Sequence, residues 1–191
     1  MHLEKWSTFI TTPRVAAAQA TVNVRSTVVN QSAAPHTIVL HLVLFDPAGR
    51  PVLSADTAPQ TIAPGQSAGF SRNFVVADPA RWDVAHPVLY RALVEVRAGT
   101  ATLDATTTPF GIREFHFDAA TGFWLNGRNL KLKGVCLHDD ASALGMAVPL
   151  GAWARRLAAL KALGVNAIRT AHNPPAPAFL DLCDRMGFLV M

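Results

Sequence analysis

The sequence predicts two architectures in series, an all-β immunoglobulin-like sandwich over residues 1–110 and a parallel α/β segment over residues 111–191. Three observations carry that reading. Between Val15 and Thr108 apolar residues recur at every second position, the spacing of half-buried strands. Clusters of Pro and Gly interrupt the runs where turns belong. Beyond Phe110 the apolar spacing becomes helical, and short strands alternate with helices.

In the first part, Val22, Val24 and Val28 alternate with Thr21, Asn23, Arg25 and Thr27. Ile38, Leu40, Leu42 and Leu44 repeat the pattern, as do Tyr90, Ala92, Val94 and Val96, whose neighbours Arg91, Glu95 and Arg97 would face solvent. Asp46-Pro47-Ala48-Gly49 and Ala63-Pro64-Gly65-Gln66 supply the turns. About six or seven short strands within about 95 residues is the pattern of an immunoglobulin-like sandwich.

The second part opens with a hairpin, Phe123 to Leu125 and Arg128 to Leu132 around Asn126-Gly127, a pair suited to the two positive-φ positions of a type I′ turn. A helix follows, with Leu150, Trp153, Leu157 and Leu160 opposite Arg155, Arg156 and Lys161, and with Gly164 placed as a left-handed cap. Val165 to Thr170 reads as a strand. Phe179, Leu182, Cys183 and Met186 form one face of a second helix, with Asp181, Asp184 and Arg185 off it; Gly187 stops it and Phe188 to Met191 begins another strand. A closed eight-stranded barrel needs roughly 250 residues, so these two and a half units are expected to be only a sector of one. Its exposed edge strand would be open to self-association.

Half of the residues are hydrophobic and 16% are charged, which excludes disorder of the whole chain. No apolar run approaches the roughly 20 residues of a membrane span, so no membrane partner is predicted. The net charge of +4 comes from scattered Lys and Arg, and no nucleic-acid partner is predicted. Cys136 and Cys183 are predicted to be buried, reduced thiols, since neither lies in a metal-binding array. The N-terminus lacks an apolar leader, which leaves the compartment open.

Sites in parallel α/β barrels gather at the C-terminal ends of the strands. Here those ends carry His138-Asp139-Asp140 after one strand and His172-Asn173 after the next. A histidine at such a place either serves a site or hydrogen-bonds a neighbouring backbone, and the equivalent placing of the two favours a site. Trp124 and Trp153 could stack on sugars, although packing in the hairpin and the helix core suits both better. There is no glycine-rich phosphate loop, no Gly-x-Ser-x-Gly elbow and no histidine pair at zinc spacing.

Several motifs follow one another in order: Trp82, His86, Pro87, Leu89 and Tyr90; Phe110-Gly111-Ile112-Arg113; Leu125-Asn126-Gly127; Lys133-Gly134-Val135; and Asn166-Ala167-Ile168-Arg169-Thr170-Ala171-His172-Asn173-Pro174-Pro175. Together they resemble glycoside hydrolase family 2, with β-galactosidases as the nearest-looking members. The resemblance runs from Thr11 to Met191 and implies that the second part begins a (β/α)8 TIM barrel. It implies that His138 and His172 line a sugar pocket and help stabilise the transition state. Asp140 matches an acidic position of relatives, whereas Asp139 stands where many have a second histidine. Arg169 would orient pocket carboxylates or substrate hydroxyls, or else form a buried structural ion pair. Asn173 would bind substrate or cap the helix beginning near Pro175.

Retaining glycoside hydrolysis uses two carboxyl groups about 5–5.5 Å apart. Asp139 and Asp140, adjacent in the chain, make a poor pair. The resemblance implies that acid/base and nucleophile are glutamates on later strands beyond Met191, and that a sugar-binding jelly roll precedes Trp6. The expected function is therefore that of a segment of a retaining enzyme hydrolysing terminal β-galactosides, inactive by itself, with β-glucuronidase and β-mannosidase parents left open. No cofactor is assignable: the magnesium ligands of relatives would fall beyond Met191. The alternative is a non-catalytic sandwich module that binds carbohydrate or protein.

Overall fold

The structure, a computed structural model, describes residues 1–191 and packs as two compact units: residues 1–80 with 89–112, and residues 81–88 with 113–191. The first unit is entirely β. Its strands are β1 (His2–Leu3), β2 (Phe9–Val15), β3 (Gln19–Val29), β4 (His36–Phe45), β5 (Pro51–Asp56), β6 (Gln60–Ile62), β7 (Ser67–Ala77), β8 (Tyr90–Ala98) and β9 (Ala101–Phe110). These nine strands outnumber the six or seven read from the sequence, because β1 and β6 are too short to show a pattern of their own. They exist as pairings along their long neighbours β3 and β4.

β7 pairs antiparallel with all of β3, and β1 and β2 pair with successive stretches of β3. A second antiparallel sheet runs β5-β4-β8-β9, with β6 beside the start of β4. Alternation dictates what lies between the sheets. Val22, Val24 and Val28 of β3 meet Leu40, Leu42 and Leu44 of β4 and Val94 and Val96 of β8 in one buried cluster. Fully burying one such side chain contributes roughly 1.5–3 kcal/mol. Ser26 occupies an inward position of β3 and is buried, which is tolerable because its hydroxyl bonds the Thr8 hydroxyl at 2.9 Å. Pro13 sits in β2 where the register with β3 shifts, a position at which a missing ladder donor does little harm.

The second unit contains β10 (Phe115–Asp118), β11 (Gly122–Leu125), β12 (Arg128–Asn129), β13 (Gly134–His138), a 3-10 turn (Ser142–Leu144), α1 (Leu150–Ala162), β14 (Ala167–Ala171), α2 (Pro177–Met186) and β15 (Leu189–Val190). Asn126 and Gly127 adopt φ of 52° and 77°, the two positive values that a type I′ turn demands. β12 is shorter than the sequence suggested, since only Arg128 and Asn129 pair back onto β11. β13, β14 and β15 are parallel neighbours, with His138 level with Ala171 and Cys136 level with Arg169. Trp153 and Leu157 of α1 and Phe179, Leu182 and Cys183 of α2 bury against Ile168 and Phe188. Gly164 and Gly187 end the two helices at φ of 82° and 74°. No helix is long and apolar enough to cross a membrane.

Residues 81–88 pack with this second unit. The Trp82 indole is buried, its N–H donates to the Asp184 carbonyl at 2.8 Å, and its own carbonyl accepts from Asn126 Nδ2 at 3.0 Å. The Lys161 ammonium donates to the carbonyls of Val84 at 2.6 Å and Gly187 at 2.8 Å. Desolvation lowers the pKa of Lys161, and Asp83 works against that shift. Segment 81–88 is thus held both by the buried Trp82 side chain and through the main-chain carbonyls of Trp82 and Val84.

Candidate active site

β13 and β14 position the side chains that the sequence singles out. Along β13, Val135 and Leu137 pack on the helices, so Gly134, Cys136 and His138 point to the opposite face. Along β14, Ile168 packs on the helices and Arg169 therefore shares the face of Cys136 and His138. His172 follows the last residue of β14 through a cis peptide. The imidazoles of His138 and His172 lie 6.0 Å apart, centre to centre, with planes at 75°. Both are exposed, so both keep ring nitrogens available for a ligand.

Arg169 lies further inside the same face and is exposed rather than buried. Its Nη1 approaches Cys136 Sγ at 3.9 Å, and it takes part in none of the chain's four ion pairs. The buried ion pair considered for Arg169 is therefore absent, and its fork of donors is uncommitted to any carboxylate. Cys136 is also exposed, against expectation, because it alternates with Val135 and Leu137 and so faces away from the helices. Cys183 is buried as expected, and desolvation together with the Asp184 charge pushes its pKa up to about 12.

Asp140 is exposed, and its backbone carbonyl accepts from Arg156 Nη1 at 3.0 Å, which ties the loop after β13 to α1. The same guanidinium lies 4.6 Å from the Trp153 ring centre. Asn173 does not cap α2: the cap is Ala176 and no side chain bonds there. Asn173 instead lines a small hollow of about 20 Å³ with His138, Asp139, Thr170 and Trp153. Trp153 is mostly buried and packs edge-on against Phe179 at 5.1 Å, in keeping with a core role. The sequence marks Thr170 only by its place next to the last residue of β14, just before the polar run that follows.

A larger cavity of about 430 Å³ lies over the same face, lined by Phe115, Phe117, Phe123, Cys136, Arg169 and Met191 among others. Volume favours this cavity and chemistry favours the strand ends. We assign the candidate site to the strand ends, because two imidazoles, a carboxylate and an amide converge there, whereas the larger cavity, Arg113 and Arg169 apart, is walled by mostly apolar groups. The carboxyl groups nearest these strand ends are those of Asp139 and Asp140, both on the loop that follows β13. What the arrangement can do is hydrogen-bond a polyhydroxylated ligand and accept or donate a proton at imidazole.

Residues 2–113 match the family described as glycosyl hydrolases family 2, and residues 119–191 match the TIM barrel domain of glycosyl hydrolases family 2. A β-galactosidase from Bacteroides ovatus is 42% identical over 191 residues, which is all of this chain and 22% of that protein. A crystal structure of a glycosyl hydrolase family 2 member from Bacteroides cellulosilyticus superposes with a TM-score of 0.94 at 34% identity, over 100% of this chain and 26% of that one. The Bacteroides uniformis β-glucuronidase 2, solved covalently bound to cyclophellitol-6-carboxylate aziridine, gives 0.92 at 30% identity, over 99% of this chain and 23% of that one. The chain thus spans about a quarter of the length of these relatives. With both of its parts matched in order, the chain belongs to glycosyl hydrolase family 2.

Proposed function

We propose that these residues serve a retaining β-glycosidase acting on terminal β-galactosides, in which His138 and His172 contact the sugar and Arg169, Asp140 and Asn173 complete that side of the pocket. The observation that carries the reading is the convergence of His138 and His172 at the C-terminal ends of adjacent parallel strands. The similarity to a β-galactosidase over the whole chain supports galactoside as the substrate. Relatives named β-glucuronidase keep glucuronide as the rival within the same chemistry. The nucleophile and the acid/base would be carboxyl groups outside these residues, so the isolated chain is expected to be inactive.

Two assays test this. The purified 191-residue chain should not turn over an aryl β-galactoside; turnover that disappears on His138→Ala would overturn the inactivity. Coding DNA read through both ends of the region, followed by assay of the encoded protein, tests the substrate. A galactoside preferred over a glucuronide supports the reading, and the reverse preference replaces it.

A further inference from the structure

The outward face of the β2-β3-β7 sheet is one-signed. That face carries Arg14 and Arg25, and the three strands hold no Asp or Glu at all; Arg72, level with Val24 and in the alternation of Phe70 and Phe74, belongs to the opposite face. Register arranges the outward residues in rows: Phe9, Arg25 and Ser71; then Thr11, Asn23 and Asn73; then Arg14, Thr21 and Val75. Arg14 and Arg25 take part in none of the chain's ion pairs. The nearest acids in sequence, Glu4 and Asp78, lie outside the strands at the margins. Two uncompensated guanidinium groups on a carboxylate-free surface favour an anionic partner.

The rest of the face narrows the partner. Hydroxyl and amide groups of Thr11, Thr21, Ser71 and Asn73 can each donate and accept, and Asn23 can accept at Oδ1, as pairing with sugar hydroxyls requires. Asn23 Nδ2 already bonds Ser71 Oγ at 3.0 Å and Asn73 Oδ1 at 2.7 Å, so this row is ordered before any ligand arrives. Phe9 is 54% exposed and offers an apolar ring, over which the Arg25 guanidinium sits 5.1 Å from the centre. From Thr21, the neighbour of Arg14, to Arg25 is a run of roughly 13 Å at the usual rise of a strand. The two charges could therefore engage separate acidic residues of one chain lying along the strands.

We propose that this face binds an acidic polysaccharide, with sugar carboxylates on the forks of Arg14 and Arg25, sugar hydroxyls on the Thr, Asn and Ser rows, and a sugar ring against Phe9. Guanidinium matches a planar carboxylate through two parallel hydrogen bonds, which gives preference as well as attraction. The site lies within the sandwich unit and does not depend on the activity proposed for the barrel strands.

The test is affinity electrophoresis of the full chain in gels containing polygalacturonate, fully methyl-esterified polygalacturonate, or polyglutamate. Retardation by polygalacturonate is expected, weakened in high salt where exposed charges are screened. Methyl esterification, or the double change Arg14→Gln with Arg25→Gln, should weaken binding about tenfold or more, the effect of losing charge-assisted bonds. Phe9→Ala should weaken it severalfold. Should the double variant fail to fold, Ser71→Glu, an exposed change in the row of Arg25, should weaken binding by repulsion. The proposal is overturned by absence of retardation, by equal retardation with polyglutamate, which would mark a general polyanion surface, or by unchanged binding of a folded variant.

Discussion

Trp82 and Asp184, separated by 102 positions in the chain, are joined by an indole N–H bond of 2.8 Å to the Asp184 carbonyl. That bond lands on the last turns of α2, and the Arg113 guanidinium covers the same indole at 4.7 Å from its centre. Trp82 is therefore expected to matter more to stability than any other residue of segment 81–88. Trp82→Ala should cost about 3–5 kcal/mol. Trp82→Phe, which keeps a ring and loses the donor, should cost about 1–2 kcal/mol. Urea denaturation of the two variants checks the order, and equal losses would show that the hydrogen bond contributes nothing.

The two helix-ending glycines are predicted to differ in their tolerance of a side chain. Both have positive φ, but a Cβ on Gly187 would overlap the Val84 carbonyl, whereas one on Gly164 meets nothing within 4 Å. Gly164→Ala should cost about 1 kcal/mol, the backbone strain alone. Gly187→Ala adds overpacking and should cost about 3 kcal/mol or more. Thermal or urea midpoints of the pair decide it; similar losses would remove the steric argument.

Asp184 gives stability a pH dependence. Burial raises its pKa, opposed by Arg113 and reinforced by Asp181. An acid that holds its proton more tightly when folded makes stability fall as pH rises from the ordinary carboxylate value through the raised one. Asp184→Asn removes that penalty, so its urea midpoint should exceed that of the parent at neutral pH and coincide with it below the ordinary carboxylate range. A lower midpoint at neutral pH would mean that the attraction to Arg113 outweighs burial.

The two thiols should separate cleanly. Cys136 is exposed, while Cys183 is buried with its pKa pushed up to about 12. Only the thiolate reacts. Ellman titration of the native chain should find Cys136 alone, blocked by Cys136→Ser, with Cys183 reacting only after unfolding. Reaction of Cys183 in the native state would reveal opening of the α2 packing.

Much of this was written in local residue patterns. Period-two alternation placed β3, β4 and β8, and the Asn126-Gly127 pair and the glycines at 164 and 187 set their turn and caps, since each depends on a few neighbouring dihedrals. Helical spacing likewise selected Trp153, Leu157, Phe179, Leu182 and Cys183 as core. Other features depend on partners distant in sequence and left no local trace. The two short strands β1 and β6 exist only because long strands lie beside them. The exposure of Cys136 followed from which face of β13 met the helices, and the 6.0 Å approach of His138 to His172 followed from the register that sets His138 beside Ala171. The burial of Trp82 likewise required α2 and the hairpin to be in place. Local sequence determined the elements and their ends, because dihedral preferences and amphipathic period act over a few residues. Tertiary structure alone decided register, facing and the meeting of side chains, because those arise when separate apolar faces are buried against one another.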